Sequence, residues 1–563
     1  MRLCSPHPSS IFEVWATKIL AAIDNQGRVL SDLAQNNKDG LRQQPSPHPS
    51  QFSVIEEDDL EAMSRKDIPW TPITGSDMIL SWSVFPTEKP VDTFPAAAYV
   101  EKPHILALEN SNPSPSRLFE LRDIYMTKIQ PKNPIIDADQ LETYISDALE
   151  NGFDWSASSC LVLLVFALAA IWGNYPDDER RLIEPHEQSD PYSDRYITMA
   201  VPEHRLRESL TYFTMAQKRM SAAHLDASLL GVVCFCFFGM WHQYNIEPIQ
   251  GWKMFRTASM LWESYNLKHA HGKTQRSKQE ESLEQRLYWT CLKSECEIRH
   301  ELVDLPSCTL QESSFPFSLP TFPMIDSFDQ GRVEIISQES PSFKASAEAS
   351  YYFYLAEISL RRLLNRTRTV ATLLSPNITA HTASRLADTL QNLEEQLQQW
   401  LECLPPALRF NLPPDTFPSP DESELVKLVR ERYVEVREIL CRAYLYMCLH
   451  GGSRLTSSQI ESFGARASAG LRLSVYRIQT EVPFFRHPGS WGACRVRFNH
   501  ALCLIAAQRG TERNLESAAC VVVPALWREC VSMVQDRLQA WSHEGAGISE
   551  MCILLDWLVK SIH

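Results

Sequence analysis

Glycine is scarce in this chain, at 19 of 563 residues. That leaves little material for loops that wrap phosphates with backbone N–H groups. The nearest candidate, His271-Gly272-Lys273-Thr274, has Leu267 where a phosphate loop needs its first glycine. It also follows a helical pattern instead of a strand, so it reads as a solvated loop. Alternating apolar–polar runs are almost absent as well. Val333-Glu334-Ile335 is the one short extended candidate, which argues against a sheet-based fold.

Positive charge is in deficit. Lys and Arg total 54 against 69 Asp and Glu, a formal charge of −15. Duplex binding rests largely on cationic neutralisation of phosphates, so the bulk charge does not favour a nucleic-acid binder. Long hydrophobic runs are missing too. The segments 160–172 and 229–241 are each about 13 residues, against roughly 20 needed to cross a bilayer. They read as buried core helices, and no membrane partner is expected. Glu13 and Lys18 interrupt the one apolar stretch near the N-terminus, so no secretory signal is expected.

Catalytic and metal-binding patterns fail one by one. The closest text to a nucleophile elbow, Ala465-Arg466-Ala467-Ser468-Ala469-Gly470, lacks the first glycine and the strand. His487 and His500 stand isolated. Asp137 and Asp139 precede a helix, where carboxylates suit the N-terminus. Cys291, Cys296 and His300 are the nearest metal-like set. Five helical steps turn Cys296 about 500° from Cys291, so only Cys296 and His300, four apart, share a face. Two ligands do not make a structural metal site. The remaining cysteines, among them Cys160, Cys234, Cys236, Cys441, Cys448, Cys503 and Cys552, fall in apolar helical runs and read as reduced core thiols. No cofactor, metal or enzymatic activity is expected.

What is present is helix. Prolines cluster between long leucine-patterned stretches and punctuate them. Helices are expected from Arg117, through Leu141–Leu149, and over 158–172, 203–223, 225–242, 248–268 and 280–302. A looser stretch at 303–344 separates these from a second half. That half opens at Tyr351-Tyr352-Phe353-Tyr354. It continues through the stripe Leu386, Leu390, Leu393, Leu397 and Trp400, which Pro405-Pro406 ends. A long helix over 421–449 and three or four more over 455–562 complete it.

The expected organisation is therefore an all-α body in two packed halves, 117–325 and 345–563, with a loop at 326–344. Residues 36–116 read as a disordered or loosely docked linker. Trp70, Ile79, Leu80, Trp82 and Phe85 within it are the exceptions, either docking on the body or forming an acidic–aromatic recognition segment. Residues 1–35 hold a short amphipathic segment whose face suits a docking helix or a homodimer coiled coil. Arginine clusters at 361, 362, 366 and 368, and at 430, 432, 437 and 442, read as solvated or salt-bridged helix faces.

The most informative stretch runs from Gln285 to Arg299. Leu283, Leu287, Cys291 and Ile298 are expected to face a core, with Arg286, Lys293, Glu295, Glu297 and Arg299 on the flanks. Together with Trp289 and the following Leu305-Pro306, this Trp-bearing helix resembles the regulatory middle region of fungal-specific transcription factors. Further phrases follow in order: Ser159–Ala170, Tyr212-Phe213, Pro248 with Trp252, Tyr354-Leu355-Ala356-Glu357-Ile358 with Arg361-Arg362, and Phe485–Trp491. Each is loose alone; their order carries the resemblance across most of 117–563.

The resemblance implies a nuclear, non-enzymatic transcriptional regulator of a metabolic or secondary-metabolite pathway. Its expected partners are transcription machinery or co-regulator proteins, with a small-molecule effector also in view. The motif residues are Arg286, Trp289, Lys293, Glu295, Pro306, Glu357, Arg361, Arg362 and Trp491. The family's DNA-binding head needs six cysteines around two zinc ions. Only Cys4 precedes Cys160 here, so DNA contact is expected to be indirect, or to depend on a head this sequence does not carry. A helical small-molecule-binding protein or a co-regulatory adaptor on the same scaffold is the alternative.

Overall fold

The computed structural model describes residues 70–92, 114–173, 201–269, 276–302, 304–311, 320, 341–419, 422–480, 486–545 and 547–562. Its sixteen α-helices are α1 Gly75–Leu80, α2 Pro115–Ile124, α3 Ala138–Asn151, α4 Ala157–Ile171, α5 Glu203–Gln217, α6 Met220–Leu225, α7 Leu229–Tyr244, α8 Pro248–His269, α9 Lys278–Glu301, α10 Pro341–Val370, α11 Ala380–Glu402, α12 Glu424–His450, α13 Ser457–Thr480, α14 Ser490–Glu512, α15 Trp527–Gln539 and α16 Ile548–Lys560. Among the described residues there is no strand, only one isolated bridge between Gly173 and Arg486. The fold is all-α, as the sequence implies. The amphipathic segment at 11–33, the loop at 271–274 and Val333–Ile335 lie outside the described residues.

Helices that are apolar on nearly every side, a pattern that fits only full burial, organise the first half. These are α4 and α7, and none of the side chains from Cys160 to Ile171 meets solvent. They pack on each other, with α5 against α4 and α8 against α7. No described helix is long and apolar enough to cross a membrane. In the second half α12 is central, packed by α10, α11 and α13. The halves meet where α9 touches α14 and where α10 packs on the 3-10 turn Gln130–Lys132.

Local chemistry sets the helix ends. The Asp137 carboxylate accepts from the N–H groups of Asp139 and Gln140, at 3.0 and 3.2 Å, which is the N-terminal role its position suggested. Ser277 and Glu280 form a reciprocal capping box at the start of α9. The helix expected over 203–223 is broken into α5 and α6. Arg219 ends the first by turning its guanidinium onto the carbonyls of Phe153, Asp154 and Met215 at 2.5–2.8 Å.

Within 36–116, residues 70–92 dock on the body, one of the two roles expected of the apolar residues there. Ile79, Leu80, Trp82, Val84 and Phe85 are buried in the main core. Trp82 packs edge-on against Tyr446 and His450 and donates to the Pro72 carbonyl at 2.8 Å. Arg495 reaches Asp77 at 3.1 Å, and Arg442 donates to the Ile73 carbonyl at 3.0 Å. The segment thus straps α12 and α14 together across the C-terminal end of α9. Gly75 makes the approach possible: its φ is +71°, and a Cβ there would stand 2.7 Å from the His300 carbonyl oxygen.

Candidate functional site

A cavity of about 360 Å³ lies where the two halves meet. Its wall is drawn from the end of α2's turn extension (Ile129, Lys132, Asn133), from α7 to α10, and from α12 to α14. Four of the motif residues singled out in the sequence reach it: Lys293, Glu357, Arg361 and Trp491. They lie on three helices and span nearly 200 positions of chain.

The polar part of the wall is an ion network. Arg432 is its hub: Nη2 is 2.7 Å from Glu297 and 2.9 Å from Glu357, and Nη1 is 2.7 Å from Glu435. Arg361 pairs with Glu297 as well and lies 3.9 Å from Glu357. Arg477 closes onto Glu431 at 3.1 Å. Burial pushes the Glu357 carboxyl up, but Arg432, Lys293 and Arg361 outweigh it and hold it below the usual carboxylate range. The same contest leaves Glu435 at about 2, with burial opposed by Arg432 and Arg477. These carboxylates stay charged at neutral pH.

Three cations here are incompletely matched. Arg361 is 2% exposed, yet its Nε has no hydrogen-bond partner. Arg368 is buried and contacts no carboxylate among the described residues; its Nη1 lies 3.0 Å from His300 Nδ1. Burial and the neighbouring Arg361 lower the Arg368 guanidinium to about 10. Lys293 lines the cavity and makes no hydrogen bond or ion pair to the described residues; it acts on Glu357 only through space. The apolar part of the wall includes Met240, Tyr244, Phe255, Phe353 and Trp491.

The other motif residues have different duties. Arg286, Glu295 and Arg299 were expected on the flanks of α9, and all three are buried. Arg286 lies against the Pro134 carbonyl and donates to Ser282 O at 3.2 Å, while Tyr354 Oη donates to the Arg286 carbonyl at 2.5 Å. Glu295 is 0% exposed and accepts from Arg256 at 3.1 Å, Ser259 at 3.1 Å and the Thr309 N–H at 3.2 Å. It therefore anchors the segment after α9. Arg299 donates to the Pro306 carbonyl at 3.1 Å and covers the Trp70 ring. Pro306 itself is exposed, and Trp289 is buried with its ring edge-on to Tyr288. Arg362 is half-buried and does not line the cavity. Sequence patterning placed these charges outside because period alone cannot see partners from distant helices.

Cys296 and His300 do come together, with Sγ 3.2 Å from Nδ1. That nitrogen also lies 2.6 Å from the Cys296 carbonyl and faces Arg368, and the imidazole satisfies only one of these partners in a given tautomer. A hydrogen bond from Cys308 and the nearby His300 and Arg368 draw the Cys296 thiol well below its ordinary range, against burial. Among the described residues no group of three or more His, Cys, Asp or Glu is arranged to hold a metal ion. The described cysteines are all free thiols.

Sequence reasoning missed Arg432 as the hub and Arg368 as the bare cation. Both stood in arginine clusters read only as solvated or salt-bridged faces. The usable signal was Arg432 and Glu435 three residues apart on one helix. No protein-family model matches this chain, and no curated protein matches it.

Proposed function

We propose that this chain is the regulatory body of a fungal-type transcriptional regulator. It acts in the nucleus through protein partners and responds to the state of the cavity between its halves. The observation that supports this most is the convergence of Lys293, Glu357, Arg361 and Trp491 on that cavity. Those residues belong to separate motif phrases of the resemblance, and a shared wall gives them a common purpose. The reading is non-enzymatic, since the sequence offers no nucleophile or acid–base pair. A metabolic or secondary-metabolite pathway is the proposed target.

The test is a fusion of the full chain to an unrelated DNA-binding head in a reporter strain, paired with transcript profiling of a deletion strain. The expected result is reporter output that changes with metabolic state, and a confined set of altered transcripts. A silent reporter together with an unchanged transcript profile would remove the regulatory reading. The same cavity also supports a small-molecule-binding protein without any transcriptional role, and that outcome would then stand in its place.

A further inference from the structure

We infer that the cavity between the halves binds a small organic anion with an apolar body, its acidic group held by Lys293, Arg361 and Arg368. This deepens the regulatory reading by naming the effector class, but it rests on the cavity alone.

The argument starts from mismatch. Buried cations in proteins are paired, because an uncompensated charge in a low-dielectric site is costly. Here the carboxylates are well served, with Arg432 alone meeting three of them. The shortfall is on the cationic side. Of the buried cations, Arg361 keeps an unpartnered Nε and Arg368 has no carboxylate in contact; Lys293 beside them is half-buried and has no hydrogen bond or ion pair among the described residues. All three line one cavity. An incoming carboxylate or sulfonate supplies the missing acceptor, and guanidinium groups suit its planar, two-oxygen geometry.

Size and lining set the rest of the ligand. About 360 Å³ falls within the range of small-molecule sites. Phe353 and Trp491 provide aromatic wall beside the ion network. An inorganic ion would leave that wall unfilled; a neutral apolar molecule would leave the cations unmatched.

The full-length purified chain is titrated with 1-anilinonaphthalene-8-sulfonate and with N-phenyl-1-naphthylamine, its uncharged counterpart, following quenching of tryptophan emission. Displacement by 4-phenylbutyrate is compared with displacement by 4-phenylbutyramide. The sulfonate is expected to bind saturably and to be displaced by the acid, not the amide. Lys293→Met removes a cation that makes no hydrogen bond or ion pair among the described residues and acts on Glu357 only through space, so it should lower the melting temperature little while weakening the sulfonate by at least about tenfold. Arg368→Gln should do the same, provided it folds. Equal binding of charged and neutral probes, no saturable binding of the sulfonate, or unchanged affinity in Lys293→Met would each overturn the inference. Binding without any reporter response would leave this inference standing and remove the transcriptional reading; a reporter response without anion binding would do the reverse.

Discussion

Arg432 Nη2 lies 2.9 Å from Glu357 Oε1, joining α12 to α10 across the cavity wall. The same guanidinium reaches Glu297 on α9 and Glu435 one turn along its own helix. One side chain therefore ties both halves, and its removal leaves Glu357 with only Arg361 at 3.9 Å and takes from Glu435 its 2.7 Å partner. Arg432→Ala is expected to cost about 3–5 kcal/mol, because breaking a buried pair leaves the partner charge uncompensated. Arg432→Lys should recover only part, since an ammonium cannot fork between three acceptors. Urea unfolding checks both. Adding Glu357→Ala to Arg432→Ala should cost much less than it does alone, a non-additivity that equal, independent losses would contradict.

The strap at 70–92 depends on Gly75. Gly75→Ala places a Cβ 2.7 Å from backbone oxygen at His300, at a φ of +71° that side chains resist. The expected loss is about 1–3 kcal/mol, and the change should show first as faster proteolysis within the strap. Trp82→Ala should cost about 3–5 kcal/mol by removing a buried indole packed on Tyr446 and His450. Melting curves and limited proteolysis report both. Unchanged cleavage in Gly75→Ala would argue against the close approach.

The helices and their order were legible because apolar spacing and proline punctuation are local signals. Asp137 as a cap and Leu386–Trp400 as a buried stripe could be read directly. Pro248 does open a helix, with Gly251 N–H donating back to Glu247 O at 2.9 Å. What sequence could not supply was pairing at long range. Asp77 and Arg495 meet across 418 positions, and Glu297 and Arg432 across 135. Glu295 looked like a flank residue because it is a carboxylate beside the apolar stripe of Leu283, Leu287, Cys291 and Ile298; its partners come from α8 and the segment after α9. Periodicity names a face, and only tertiary packing says which charges that face takes inside.

Stability should fall with pH earlier than carboxylate titration alone would give. His300 and His500 are each 1% exposed, and burial, helped by nearby arginines, holds both imidazoles below their ordinary range. The unfolded chain therefore binds protons that the folded chain refuses. Stability is full above the unfolded histidine value, near 6.5, and drops as pH falls below it, by up to about 1.4 kcal/mol per unit per histidine. Urea midpoints measured from pH 7.5 to 5.5 should decline, and His500→Gln should flatten the slope. A flat profile above pH 5.5 would contradict the burial of neutral imidazoles.

Thiol labelling should follow access more than acidity. Cys520 is the exposed cysteine among those described, while Cys296 is buried although its thiol is drawn toward the thiolate. With iodoacetamide under native conditions, Cys520 should be alkylated first of the described cysteines. Cys296 should react only at the rate of local opening, and faster when 2 M urea loosens the fold. Peptide mass spectrometry gives both rates. Early, stoichiometric labelling of Cys296 would mean that the end of α9 opens more readily than its packing implies.

Direct binding of duplex DNA by this chain should be weak and easily displaced by salt. The arginine clusters at 361–368 and 430–442 are the basic patches the sequence offers. Arg361, Arg368, Arg430 and Arg442 are buried, and Arg432 is occupied by three carboxylates. Arg430 pairs with Glu422, and Arg442 with Glu438. A guanidinium committed inside the protein cannot displace counterions from phosphates, and the overall charge of −15 opposes approach. In a gel shift at about 50 mM salt only faint retention is expected, lost by about 200 mM and indifferent to sequence. Sequence-specific retention at the higher salt would require a cationic surface formed outside these paired arginines.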